Sequence, residues 1–168
     1  MDLFTEKIVE KKKDYLDFVI VFATIIISLI LAFIIILIAG PLYFGIGLAL
    51  VAIIGYLGYR IITSRNIEFE YSLANGDLEI SKIISKKKRK RIFYGNCKQI
   101  EVMDKLSSDK HNRVVNNVSG KIHAVSSMKS QDVYFFISQY NEKKVIVYLE
   151  PGDEILSKIK SLNRKAFL

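Results

Sequence analysis

Tryptophan is absent from this chain of 168 residues, cysteine occurs once, and proline and histidine occur twice each. The lone Cys97 cannot form an internal disulfide, which agrees with a reducing compartment. His111 and His123 are not at helical ligand spacing, and with a single cysteine they fall short of the several ligands that zinc needs. Cys97 paired with a histidine would be one route to a nucleophile, but we read it as a buried or incidental thiol. No glycine-rich phosphate loop is present, and no serine stands in a Gly-x-Ser-x-Gly context. The expectation is no catalytic residue, no metal site and no cofactor. An enzyme with an unrecognised site, built on His123 or Cys97 in a deep pocket, ranks below a binding protein.

Charge is missing over a long stretch. Residues 18–39 and 42–59 contain no Asp, Glu, Lys, Arg or His and are dense in Ile, Leu, Val and Phe. A bilayer core takes roughly 20 helical residues, and a helix in water does not stay apolar on every face for so long. Inside lipid only helices or closed barrels satisfy the backbone, and two segments cannot close a barrel. Gly40 suits a helix end and Pro41 a helix start, so a tight turn joins two spans in a hairpin over residues 18–62. The first run is too long for the apolar part of a signal peptide. Lacking ionisable residues, the spans do not suggest a transport pathway.

The flanks give an orientation. Lys7, Lys11, Lys12 and Lys13 precede the first span, Arg60 and Arg65 follow the second, and the turn is uncharged. The positive-inside bias places both termini in the cytoplasm of a two-pass cell-membrane protein, with Tyr15, Tyr56 and Tyr59 at the inner interface and Tyr43 at the outer one. Gly45, Ala49, Ala52, Gly55 and Gly58 recur at spacings of three and four on the second span. Such a face permits close helix contact, either against the first span near Ser28 and Ala32 or between copies of the chain. We favour the first.

What remains is basic. The formal charge is +8; residues 1–65 hold six Lys/Arg against five Asp/Glu, and residues 66–168 nineteen against twelve. Residues 1–17 read either as a short interfacial helix using Leu3, Phe4 and Ile8 or as a frayed end. Residues 66–73 alternate apolar and polar, Asn75-Gly76 suits a type I′ hairpin turn, and residues 78–84 return. Strands follow around Ile92-Phe93-Tyr94, over 99–103 with Ile100 and Val102 inward, over 121–127, and over 132–140 and 143–149. The last two are apolar on both faces, so both faces should be covered. Residues 104–120 remain a polar loop in which Val114, Val115 and Val118 are candidates for one more strand. After Pro151-Gly152, Ile155, Leu156, Ile159 and Leu162 form one stripe of a helix whose first turn carries Asp153 and Glu154.

Seven short strands closed by an amphipathic helix, behind a two-span hairpin, make a recognisable order. The carrying stretches are 69–84 through Asn75-Gly76, the basic run into Ile92-Phe93-Tyr94, and 133–136 followed by 145–151 and the helix. The chain resembles bacterial membrane proteins in which such a hairpin carries a cytoplasmic pleckstrin-homology-like domain, and is similar to a family of small bacterial membrane proteins with no assigned activity. The resemblance implies an open seven-stranded antiparallel barrel over residues 66–168, capped by the C-terminal helix. Eukaryotic members usually carry a Trp in that helix, which this chain lacks.

One feature asks for a partner: Lys86, Lys87, Lys88, Arg89, Lys90 and Arg91. Beside a membrane anchor, six basic residues suit an anionic leaflet, where each contributes roughly 1 kcal/mol within about a Debye length. The run lacks interleaved aromatics and any nucleic-acid-binding signature, so nucleic acid ranks lower. The expected function is a non-catalytic anchored module that docks on anionic headgroups or a protein partner, as a scaffold or accessory subunit. The alternative is a membrane-embedded homo-oligomer whose basic run is incidental.

Overall fold

The computed structural model describes residues 4–40 and 43–168. They form a helical unit, residues 13–66, and a β unit, residues 4–12 with 67–168.

The helical unit holds α1 (Tyr15–Ala39) and α2 (Phe44–Ser64), each long and apolar enough to cross a membrane. Both outrun the uncharged stretches, so Asp17 and Arg60 fall within helix. The expected Gly40–Pro41 turn rests on Pro41 and Leu42, which lie outside the described residues; Gly40 itself has φ +55°. The helices approach closely at two glycines of α2. A β-carbon at Gly58 would stand 2.9 Å from Ser28 Oγ, and one at Gly47 would stand 2.8 Å from Ala39 Cβ. At the charged end, the Arg65 guanidinium donates to the buried Asp17 carboxylate, its Nε at 2.7 Å. Asp17 also accepts the Asp14 N–H at 3.1 Å, closing the first turn of α1.

The β unit begins before the helices. Residues 5–10, one of whose readings was an interfacial helix, are strand β1 (Thr5–Glu10), antiparallel to β2 (Ile67–Ala74). Thr5, Lys7 and Val9 turn to the covered face and Glu6, Ile8 and Glu10 to water, a period of two. The helical hairpin is thus an insertion between two adjacent strands, and the expected domain over 66–168 is missing its first strand. Leu3 lies outside the described residues.

Among the described residues there are eight strands in two sheets, where seven were expected. One sheet runs β1-β2-β3-β4, with β3 (Asp77–Ile84) and β4 (Lys88–Asn96); Asn75-Gly76 makes the β2–β3 turn at φ +51° and +92°. The other runs β5-β7-β8-β6, with β5 (Val102–Lys105), β6 (Gly120–Ala124), β7 (Tyr134–Tyr140) and β8 (Lys143–Leu149). The antiparallel expectation fails at β6, which pairs parallel with β8. It does so because residues 106–119 carry the chain from one edge of this sheet to the other. Val114 lies in the short helix α3 (Asp109–Val114) and Val115 in the 3-10 turn after it, so neither Val114 nor Val115 adds a strand, and Val118 lies in none.

Two cores result. The main one joins Tyr71, Leu73, Leu78, Ile80, Phe93, Phe136, Val147 and Leu149 to Ile155 and Ile159 of α4 (Gly152–Leu162). Phe93 meets Phe136 edge-on at 5.1 Å. Buried Tyr71 Oη donates to the Ala124 carbonyl and accepts the Glu150 N–H at 3.2 Å, tying the sheets together. The second core lies on the other side of β7–β8: Phe135, Ile137, Ile146 and Tyr148, with Leu106, Val114 and Val118 packed on them. The unassigned loop is therefore the cover that the doubly apolar strands required. Within the 99–103 strand as read, Ile100 and Met103 enter the main core, whereas Val102 packs on the second.

Candidate functional site

The basic run begins in the β3–β4 turn and ends in β4. Ser85 and Lys86 have φ of +54° and +56°, and the Lys87 N–H reaches the Ile84 carbonyl at 3.1 Å. The register then decides which way each residue faces, since directly paired residues share a face. Ile67, Phe69, Tyr71 and Leu73 of β2 pair with Ile84, Lys82, Ile80 and Leu78, and in β4 these pair with Lys88, Lys90, Phe93 and Gly95. Lys88, Lys90 and Lys82 thus continue the core-facing side of the sheet beyond the core's edge. A β-bulge between Ile80 and Ser81 takes up Ile92.

Arg89 and Arg91 stand on the opposite face among carboxylates. Arg89 approaches Glu70 at 2.5 Å and Arg91 approaches Glu79 at 3.1 Å, while Lys86 in the turn stands 3.7 Å from Glu68. Glu6 and Glu10 of β1 share that face. Burial pushes the Glu70 carboxyl above the usual carboxylate range; Arg89 opposes the shift, and Glu6 and Glu79 add to it. The six-residue run is therefore two sets. Lys86, Arg89 and Arg91 are matched by acids on this sheet. Among the described residues Lys87, Lys88 and Lys90 have no ion pair, nor does Lys82. Lys82 lay outside the run and was missed. The alternation of Glu68 and Glu70 in β2 was the available signal for the sorting, but using it needs the β2–β3–β4 register.

Chain connectivity marks this end of the sheet. Glu10, Glu68, Ile83 and Arg89 form one row of partners, and Ile67, Ile84 and Lys88 the next. Here β1 leaves for α1 through residues 11–14, and α2 returns to β2 through residues 65–66. The Ser85–Lys87 turn is at the same end.

The other residues singled out are placed as follows. Of the five small residues, Gly58 packs on α1, whereas Gly45, Ala49, Ala52 and Gly55 are exposed, with nothing within 4 Å of a β-carbon at Gly45 or Gly55. Gly47, not singled out, takes the other close contact. Cys97 is buried in the main core, its thiol pushed up to about 12 chiefly by burial. His123 is exposed on one side and stacked on Tyr148 at 4.9 Å on the other; the partial loss of water around its ring, with Lys121 nearby, lowers its pKa. His111 Nε2 lies 3.0 Å from Tyr148 Oη. Both histidines therefore meet one tyrosine over the second core, while Cys97 belongs to the first.

A family model described as "Bacterial PH-like domain (DUF6106)" matches residues 1–168. No curated protein and no solved structure gives a match.

Proposed function

We propose a function from one premise: the chain belongs to the bacterial PH-like domain family. It is a non-catalytic, membrane-anchored docking module. Helices α1 and α2 span the cell membrane with both termini in the cytoplasm, as their basic flanks favour. The β unit acts as a scaffold or accessory part that docks on the anionic leaflet.

The observation that carries this reading is the position of the basic turn at the sheet end that chain connectivity ties to both helices. A two-residue connector extends at most ~7 Å, comparable to the ~8 Å Debye length at physiological salt. The tether thus supplies a high effective concentration. Leaflet attraction is roughly 1 kcal/mol per basic residue, so even the unmatched half of the run suffices to bias a tethered domain.

The test is hydrogen exchange on the full chain in nanodiscs of phosphatidylcholine alone or with phosphatidylglycerol. Docking predicts slower exchange over residues 84–91 in the anionic discs, reversed by salt. Identical exchange in both lipids argues for a protein partner instead.

A second reading rests on the open side of α2. Gly45, Ala49, Ala52 and Gly55 are left without a partner inside the hairpin, and such a face suits contact with a second copy. Crosslinking in membranes that Ala52→Leu abolishes would support it; a monomer insensitive to Ala52→Leu would remove it.

A further inference from the structure

The β3–β4 register sets Lys82 directly opposite Lys90, with Lys88 two residues further along the same face. Like charges directly opposite on one face of a sheet repel. Nothing on this face offsets the repulsion: among the described residues no carboxylate pairs with any of the three. The neighbours on that side are apolar, Ile67, Ile84, Val9 and Phe69. The opposite face of the same strands has acids in reserve, and these hold Arg89 and Arg91. The sheet thus keeps its two arginines neutralised and leaves a lysine ladder uncompensated.

We infer that Lys82, Lys88 and Lys90, extended by Lys87 in the turn, form the surface that receives the phosphates of an anionic phospholipid bilayer, and that Arg89 and Arg91 do not. This rests on the membrane-docking reading above and narrows it to one face. A lysine is a point charge on a flexible stem, suited to headgroups with no fixed geometry, whereas an arginine fork already engaged by a carboxylate has little left to offer. Ile67 and Ile84 beside the ladder supply apolar surface for the same interface. Phosphates brought between Lys82 and Lys90 relieve their mutual repulsion, so binding gains where the free domain is strained.

The experiment uses the full chain in nanodiscs of phosphatidylcholine alone or mixed with phosphatidylglycerol, with two readouts. A water-soluble amine reagent and peptide mass spectrometry give the labelling rate of each lysine; hydrogen exchange reports docking of residues 84–91. In the anionic discs labelling of Lys82, Lys88 and Lys90 should slow roughly 5-fold or more, the factor one lysine's leaflet attraction supplies. Exposed Lys98, Lys129 and Lys143, elsewhere on the domain, should not change. Lys82→Gln/Lys88→Gln/Lys90→Gln should abolish backbone protection. Glu79→Gln/Arg91→Gln, which removes one ion pair at constant net charge on an exposed part of the sheet, should leave it intact.

Protection that survives the triple lysine variant but is lost with the Glu79/Arg91 pair would overturn the ladder while keeping membrane docking. Equal slowing of all lysines would reduce the effect to net charge and also overturn it. The absence of any lipid-dependent protection would overturn both readings.

Discussion

The two sheets of the β unit treat their outer faces in opposite ways. The β1–β4 sheet gathers Glu6, Glu10, Glu68, Glu70, Glu79, Arg89 and Arg91 on its outer face, where Arg89 pairs with Glu70 and Arg91 with Glu79. The β5–β8 sheet turns Phe135, Ile137, Ile146 and Tyr148 outward and covers them with residues 106–118. An apolar face must be buried, because each large side chain removed from water contributes about 1.5–3 kcal/mol. A charged face contributes little to stability, since exposed ion pairs are worth about 0–1 kcal/mol. The second sheet is thus committed to holding the fold, while charges on the first are at liberty to serve recognition.

That contrast can be broken most severely at β1. Residues 66–168 expressed alone leave the whole edge of β2 unpaired, an open template for association. Aggregation is expected, and joining residues 4–12 to 67–168 through a short flexible linker should restore a soluble monomer by size-exclusion chromatography. A well-behaved monomer from 66–168 would show that the charged sheet does not need β1.

Next come substitutions that set one face against the other. Phe135→Ala, under the cover, is expected to cost about 3–5 kcal/mol, and Arg91→Gln on the charged face less than about 1 kcal/mol. Buried Cys97 reports both, as its labelling rate rises with the open population of the β unit. Similar costs would erase the distinction. Tyr71→Phe removes the hydroxyl that joins the sheets and leaves the Ala124 carbonyl and the Glu150 N–H without it. A loss of about 1–3 kcal/mol is expected by the same labelling.

The smallest effect belongs to Glu70. Its carboxyl lies above the ordinary range in the folded chain, so folding favours its protonated form. That contribution is fully present below the unfolded pKa and is lost as pH rises through the raised folded value. Glu70→Gln should therefore raise the thermal midpoint slightly at neutral pH and leave the acid end unchanged. A lowered midpoint at neutral pH would mean that the Arg89 pair outweighs the burial.

Much of the fold was legible where the signal is local. The hairpin through Asn75-Gly76, the last two long strands and the stripe of α4 follow from turn chemistry and periodicity within a dozen residues. Strand β1 was not, because its partner lies more than 50 residues away across the helices and its short apolar pattern admits a helix equally. Residues 106–119 looked like a polar loop because their apolar contacts with the sheet come from a few scattered side chains, Leu106, Val114 and Val118, with the His111 ring edge-on to Phe135. The candidate site was half legible. A run of six basic residues is plain to see, but its division into matched and unmatched charges is not.

Composition and periodicity by themselves determined the two apolar helices, the basic bias of the remainder, the hairpin turns and the closing amphipathic helix. Each rests on the chain's response to its own neighbours and to solvent. Only the tertiary structure decided that the helices interrupt a sheet, that β6 runs parallel to β8, and that Lys82 joins Lys88 and Lys90 while the arginines turn away. The physical reason is register: a strand's side chains alternate with a period of two, so one bulged residue, Ile92 opposite the Ile80–Ser81 step, reassigns every β4 charge before it to a face that sequence order does not reveal.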